Sequence, residues 1–157
     1  ELAEFDRELC KTYYRRGKAH LNLRNHGSAI ADFNRAIKAN PQHVKTYLIR
    51  GYTYGELKQF AREIADYTTA IELEPRLAKA YRSRGYAYGI TQNYPQAIAD
   101  LSDAVKLKPK YIQAYYNRGC IYDLVGKTQL AIADFTRVLE LEPENEAAYF
   151  HRGKIRQ

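Results

Sequence analysis

Apolar and small residues recur along this chain at helical spacing, in blocks of about a dozen residues separated by short polar breaks. In "AKAYRSRGYAYGI", residues 78 to 90, Tyr81, Gly85 and Tyr88 fall on one helix face. The break "TQNYP" follows, with Pro95 suited to a first helical turn. "QAIADLSDAVKL" then places Ala97, Ile98, Leu101, Ala104 and Val105 at helical spacing, and Pro109 ends the block. The pattern predicts two antiparallel helices joined by a short turn. Neither can bury its apolar stripe alone, so such pairs must stack.

The same unit returns along the whole chain. Pro41, Pro75, Pro109 and Pro143 stand 34 residues apart. Tyr13, Tyr47, Tyr81, Tyr115 and Tyr149 keep that period. So do Arg16, Arg50, Arg84, Arg118 and Arg152, and Gly17, Gly51, Gly85, Gly119 and Gly153. Four residue types sharing one period mean a stacked repeat architecture.

In these residues the chain resembles the tetratricopeptide repeat family, whose 34-residue units are helix–turn–helix pairs. With units starting at Cys10, Val44, Ala78 and Ile112, position 4 is always Tyr, position 8 always Gly and position 32 always Pro. Position 24 reads Phe33, Tyr67, Leu101 and Phe135. The resemblance implies an all-α, right-handed α-solenoid: repeats 10–43, 44–77, 78–111 and 112–145, then a partial fifth over 146–157. His20 at position 11, Glu63 at position 20 and Val138 at position 27 depart from the family pattern and put local packing in question. Residues 1–9 read either as the tail of an upstream repeat, "LAEFDR" aligning with "AIELEP", or as a helical extension whose Leu2, Phe5 and Leu9 cover the first unit.

Where the family carries an aliphatic residue at position 7, this chain has Arg every time. Each second helix brings a recurrent acid: Asp32, Asp66, Asp100 and Asp134. Repeated Arg–Asp pairs between the helix layers are expected, with Arg118 answering Asp134 or Asp100. Such pairs fix register more than they stabilise. The glycine at position 8 lets the second helix come close.

The resemblance implies that partners bind on the first helices, at positions 2, 5, 6, 9, 12 and 13. Periodicity independently puts these positions away from the 4-8-11 packing stripe. The candidate binding residues there are Lys11, Tyr14, Arg15, Lys18, Lys45, Tyr52, Lys79, Arg82, Tyr86, Tyr116, Asn117, Phe150 and Lys154. The basic members face only Glu56 and Asp123 as acids on the same positions, so this face carries most of the formal net charge of +7. Basic heads beside aromatic rings suit a protein or peptide partner that is acidic and partly apolar. Single-stranded nucleic acid is the alternative partner. A passive spacer within a larger protein is a third reading.

Some family members grip a peptide's C-terminal carboxylates with a clamp of Lys at 5 and Asn at 9, Asn at 6 of the next unit, then Lys at 2 and Arg or Lys at 6 of the third. The first register of this chain offers Tyr14, Lys18, Ile49, Lys79 and Ser83, of which only Lys79 fits. The second offers Leu48, Tyr52, Ser83, Gln113 and Asn117 and fails.

Composition adds exclusions. His20, His26, His43 and His151 lack metal-ligand spacing, the glycines form no phosphate loop, and Cys10 and Cys120 are too far apart for a disulfide framework. No enzyme activity, cofactor or metal is expected. Cys120 and His151 both fall on binding positions, without an accompanying acid or oxyanion site. No membrane span, membrane partner or signal peptide is expected. The chain starts at Glu1 without a Met and reads as a cytoplasmic fragment.

Overall fold

The computed structural model describes residues 2–155, with side chains from residue 4. It is all-α, with nine helices among the described residues, arranged as stacked antiparallel pairs on the 34-residue period. The chain divides into two compact units, residues 1–75 and 76–157. The first holds α1 (Leu2–Asn22), α2 (His26–Ala39), α3 (Val44–Glu56) and α4 (Phe60–Leu73). The second holds α5 (Ala78–Ile90), α6 (Tyr94–Leu107), α7 (Ile112–Leu124), α8 (Thr128–Leu141) and α9 (Glu146–Ile155). Pro95 sits in the first turn of α6, and each repeat proline falls two residues beyond the end of a second helix.

The turn inside each pair is built alike. Arg24, Lys58, Gln92 and Gly126 occupy one repeat position and all adopt positive φ, from 57° to 72°. The following N–H then donates back to the last turn of the first helix: Asn25 to His20, Gln59 to Tyr54, Asn93 to Tyr88 and Lys127 to Tyr122, at 2.8 to 2.9 Å. This is the left-handed cap that closes orphan carbonyls at a helix end. Only Gly126 adopts it without a Cβ penalty.

Packing of the first helices differs from a simple 4-8-11 stripe. Position 8 is buried in the four full repeats and tightest in the first and third, where a Cβ on Gly17 would lie 2.6 Å from the Phe33 ring and one on Gly85 2.9 Å from Leu101. Positions 3 and 10 are buried as deeply, by Thr46, Ala80, Ala114 and Ala148 and by Thr53, Ala87 and Ile121. The tyrosines at positions 4 and 11 are mostly only half-buried. They serve the arginine instead.

In each of the four full repeats the arginine at position 7 meets the aspartate of its own pair through two hydrogen bonds. Arg16 binds Asp32 with both contacts at 2.6 Å. Arg50–Asp66, Arg84–Asp100 and Arg118–Asp134 repeat the geometry at 2.6 to 2.8 Å. Arg118 therefore takes Asp134, and Asp100 is engaged by Arg84. Tyrosine rings flank the guanidinium: Tyr47 and Tyr54 beside Arg50, Tyr81 and Tyr88 beside Arg84, Tyr115 and Tyr122 beside Arg118, all within 6.0 Å. The arginine also reaches the preceding pair. Arg50 donates to Asn34 and Arg118 to Ser102. Hydrogen bonds donated to Asp134 hold the Arg118 guanidinium above its ordinary range against the opposing pull of burial.

The three departures resolve separately. Val138 is fully buried and simply fills its place. His20 replaces the second flanking tyrosine, and the Arg16 side chain is 53% exposed against 16–18% for Arg50, Arg84 and Arg118. Asp32 compensates with a further bond from Arg35 at 3.0 Å, and its carboxyl lies below the usual range because Arg16, then Arg35, bind its charged form. Glu63 is buried against Gly55: a Cβ there would lie 2.7 Å from Glu63 Oε1.

At the N-terminus, α1 runs unbroken from Leu2 to Asn22. Phe5 is exposed, contrary to a covering role, and Leu9 is half-buried; the Leu2 side chain lies outside the described residues. The reason is length. α1 has 21 residues against 14 in α2, so its first turns overhang by about 10 Å.

Candidate functional site

The faces left open by this packing lie on the first helix of each pair. In the first unit Lys11, Arg15, Lys18, Lys45 and Tyr52 are exposed. Lys11 is engaged locally, at 2.6 Å from Glu8 one helical turn earlier. Tyr14 is half-buried, tilted against Phe33 and edge-on to His43, with Lys18 over its ring. His43 is itself fixed by Thr46 at 2.6 Å.

In the second unit Lys79, Tyr86, Phe150 and Lys154 are exposed, and Arg82, Tyr116 and Asn117 are half-buried. Tyr116 packs edge-on to Phe135 and to His151, whose ring stacks on Phe135 at 5.2 Å. The aromatic candidates thus divide into a packed pair, Tyr14 and Tyr116, and an exposed set, Tyr52, Tyr86 and Phe150, in which Tyr52 hydrogen-bonds Glu56 and Phe150 lies edge-on to His151. Sequence periodicity could not separate them, because the pinning partners are histidines and phenylalanines from other helices.

Arg82 is the residue whose state the sequence did not reveal. Its Nε is shut off from solvent and has no hydrogen-bond partner in the protein. Ser83 beside it is buried. Burial pushes the Cys120 thiol up, while Tyr116 hydrogen-bonds to it; this is the reverse of the lowered value that a nucleophilic thiolate needs. Among the described residues no three His, Cys, Asp or Glu side chains are grouped to hold a metal ion, and no helix is long and apolar enough to cross a membrane.

Helix pairs on a 34-residue period presenting such faces define a helical-repeat interaction domain. The chain belongs to the tetratricopeptide repeat family. Models of that repeat match residues 10–43, 44–77 and 112–145, and a further TPR repeat model matches residues 90–126. Among solved structures, the MamA protein superposes with a TM-score of 0.90 at 27% identity, covering 94% of this chain and 81% of that one. The first TPR of Spaghetti (RPAP3), bound to the HSP90 peptide SRMEEVD, gives a TM-score of 0.72 at 30% identity, over 74% of this chain and 92% of that one. The second TPR domain of human RPAP3, in complex with the HSP70 peptide SGPTIEEVD, gives 0.68 at 30% identity, over 73% and 98%. A search of curated protein sequences returned no match.

Proposed function

We propose that the chain binds acidic, partly apolar segments of protein partners on the open faces of its first helices, with Lys79, Arg82 and Asn117 of the second unit donating to the carboxylates. Arg82 carries this reading. Its Nε is closed off from solvent, so a ligand carboxylate pairs with the remaining guanidinium N–H groups of this half-buried side chain, which sits on a first-helix binding position. Lys79 lies one helical turn before it and is free at the surface. The two RPAP3 domains, solved with peptides ending in EEVD, support a partner of this chemistry.

The register that begins at the third repeat supports it further. There the five clamp positions read Arg82, Tyr86, Asn117, Ala147 and His151. Asn117 matches the family's clamp and Arg82 supplies the first cation. Ala147 removes a lysine from the far side, so this chain holds a carboxylate differently from the full clamp.

Single-stranded nucleic acid is the second reading, favoured by the exposed Arg15, Lys18, Lys45 and Tyr52 on the first helices of the first unit. Titrating a labelled Glu-rich peptide and a labelled oligonucleotide across a salt series separates the two. Acidic peptide is expected to bind the wild-type chain saturably and to be lost with Lys79→Glu/Arg82→Glu. Oligonucleotide binding that is tight, steeply salt-dependent and tolerant of sequence would reverse the order. Saturable binding to neither probe refutes both and leaves a spacer.

A further inference from the structure

We propose that the second unit carries a self-complementary charged edge through which two copies of this chain associate. The end of α6 and the loop after it bear Lys106, Lys108 and Lys110. The end of α8 and the loop after it bear Glu140, Glu142 and Glu144. The two sets stand 34 residues apart, so each lysine gives way to a glutamate at the same repeat position. The Tyr, Arg, Gly and Pro of the repeat are kept between these copies, while the sign of this edge is inverted. All six side chains are exposed.

Packing sets the two blocks side by side. Tyr115 of α7 donates to the Pro109 carbonyl at 3.4 Å, and Pro109 lies between Lys108 and Lys110 in the chain. Tyr115 is also hydrogen-bonded to Arg137 of α8, which holds Glu140 at 2.7 Å. Yet among the described residues no ion pair joins a lysine of one block to a glutamate of the other. Glu140 is engaged by Arg137, Glu142 accepts from the Asn145 amide at 2.6 Å, and Lys108 lies over the Tyr111 ring. Helix dipoles account for only one block. Lys106 and Lys108 sit at the C-terminal end of α6, where cations are favoured. Glu140 and Glu142 sit at the C-terminal end of α8, where the dipole opposes them.

A second copy supplies what each block lacks. An interface about a two-fold axis must be complementary to itself, because every contact occurs twice. A basic block beside an acidic one meets that condition. With the axis between the blocks, the lysines of each copy face the glutamates of the other. A ligand of one sign would be repelled by half of the edge. Exposed ion pairs are weak singly and screened by salt, so the association is strongest at low ionic strength. The edge lies at the ends of the helices and does not depend on the acidic-peptide reading of their open faces.

Sedimentation velocity of the full chain at about 50 mM and about 500 mM salt tests this. Wild type is expected to form a dimer at low salt that dissociates at high salt. Lys106→Glu/Lys110→Glu turns the edge predominantly acidic, and Glu142→Lys/Glu144→Lys turns it predominantly basic. Both variants alter exposed side chains, and circular dichroism checks that each keeps its helicity. Alone, each is expected to dimerise about tenfold more weakly than wild type, because like charges then face one another. An equimolar mixture of the two, with one labelled, is expected to form a heterodimer. The chain carrying all four changes is expected to dimerise again, since its edge is once more complementary to itself. A wild type that stays monomeric at low salt overturns the proposal. So does a dimer weakened by only one of the two reversals, which would place that block against some other surface. Failure of the mixture to associate overturns it as well.

Discussion

Glu63 makes the stability of this protein depend on pH in a direction opposite to that of most carboxylates. The side chain is 7% exposed, in the space that Gly55 leaves open, with Tyr67 hydrogen-bonded to it. Burial raises its pKa from 4.5 to about 7, and the Tyr67 contact only partly opposes this. The folded state therefore holds the proton more tightly than the unfolded chain. The stability this contributes is fully present below the unfolded value and is lost as pH rises through the folded one. At 1.36 kcal/mol per pKa unit, ionising Glu63 removes about 2 kcal/mol between pH 5 and pH 7 and little more above pH 8. Glu63→Gln keeps the size and polarity of the group but cannot ionise. Urea unfolding followed by far-ultraviolet circular dichroism, at pH 5, 6, 7 and 8, gives the stability of each form. The variant is expected to gain on wild type by about 2 kcal/mol from pH 5 to pH 7. Histidines and the other carboxylates titrate in both proteins and cancel in the difference. A wild-type-minus-variant difference that stays flat across this range would show that Glu63 ionises normally, and the account of its burial would be wrong.

Four further substitutions concern the repeated residues. Asp100→Asn is expected to cost about 3–5 kcal/mol, because it removes the carboxylate that accepts two hydrogen bonds from the Arg84 guanidinium, and to couple with Arg84→Leu in a double-mutant cycle; additive losses would refute the ladder. Arg16→Leu is expected to cost the least of the four arginine replacements, since Arg16 is half exposed and Arg35 remains on Asp32. Gly17→Ala is expected to destabilise by about 1–2 kcal/mol in spite of alanine's helix preference, because the Phe33 ring is in the way. Gly153→Ala, with nothing within 4 Å, is expected to stabilise by up to about 1 kcal/mol, and thermal melts that rank the two variants the other way would contradict the packing described.

The period, the helix pairs, the Arg–Asp pairing and the reason for glycine at position 8 were all legible in the sequence, because each is carried by spacing. The partner of Arg118 was not, since two aspartates stood at equivalent offsets until the helices were placed. Positions 3 and 10 escaped notice because alanine and threonine do not mark a stripe by hydrophobicity, although they bury it. Glu63 stood out as a departure, but its burial depends on Gly55, a position assigned to the binding face. Within that face the charges were legible and their surroundings were not: Lys11 has a partner from before the first repeat, Tyr14 and Tyr116 are pinned, and the isolation of the Arg82 Nε depends on neighbours in three dimensions.

Arg50 and Arg118 each bind an aspartate of their own pair and a small polar residue of the pair before, Asn34 or Ser102. At these two places one side chain thus joins a repeat internally and fastens it to its predecessor. A duplicated unit that carries this arginine and a small polar residue at the Asn34 or Ser102 position brings both halves of the joint with it. The number of repeats can then change in evolution without redesign of the seams, while the residues displayed on the open faces vary independently.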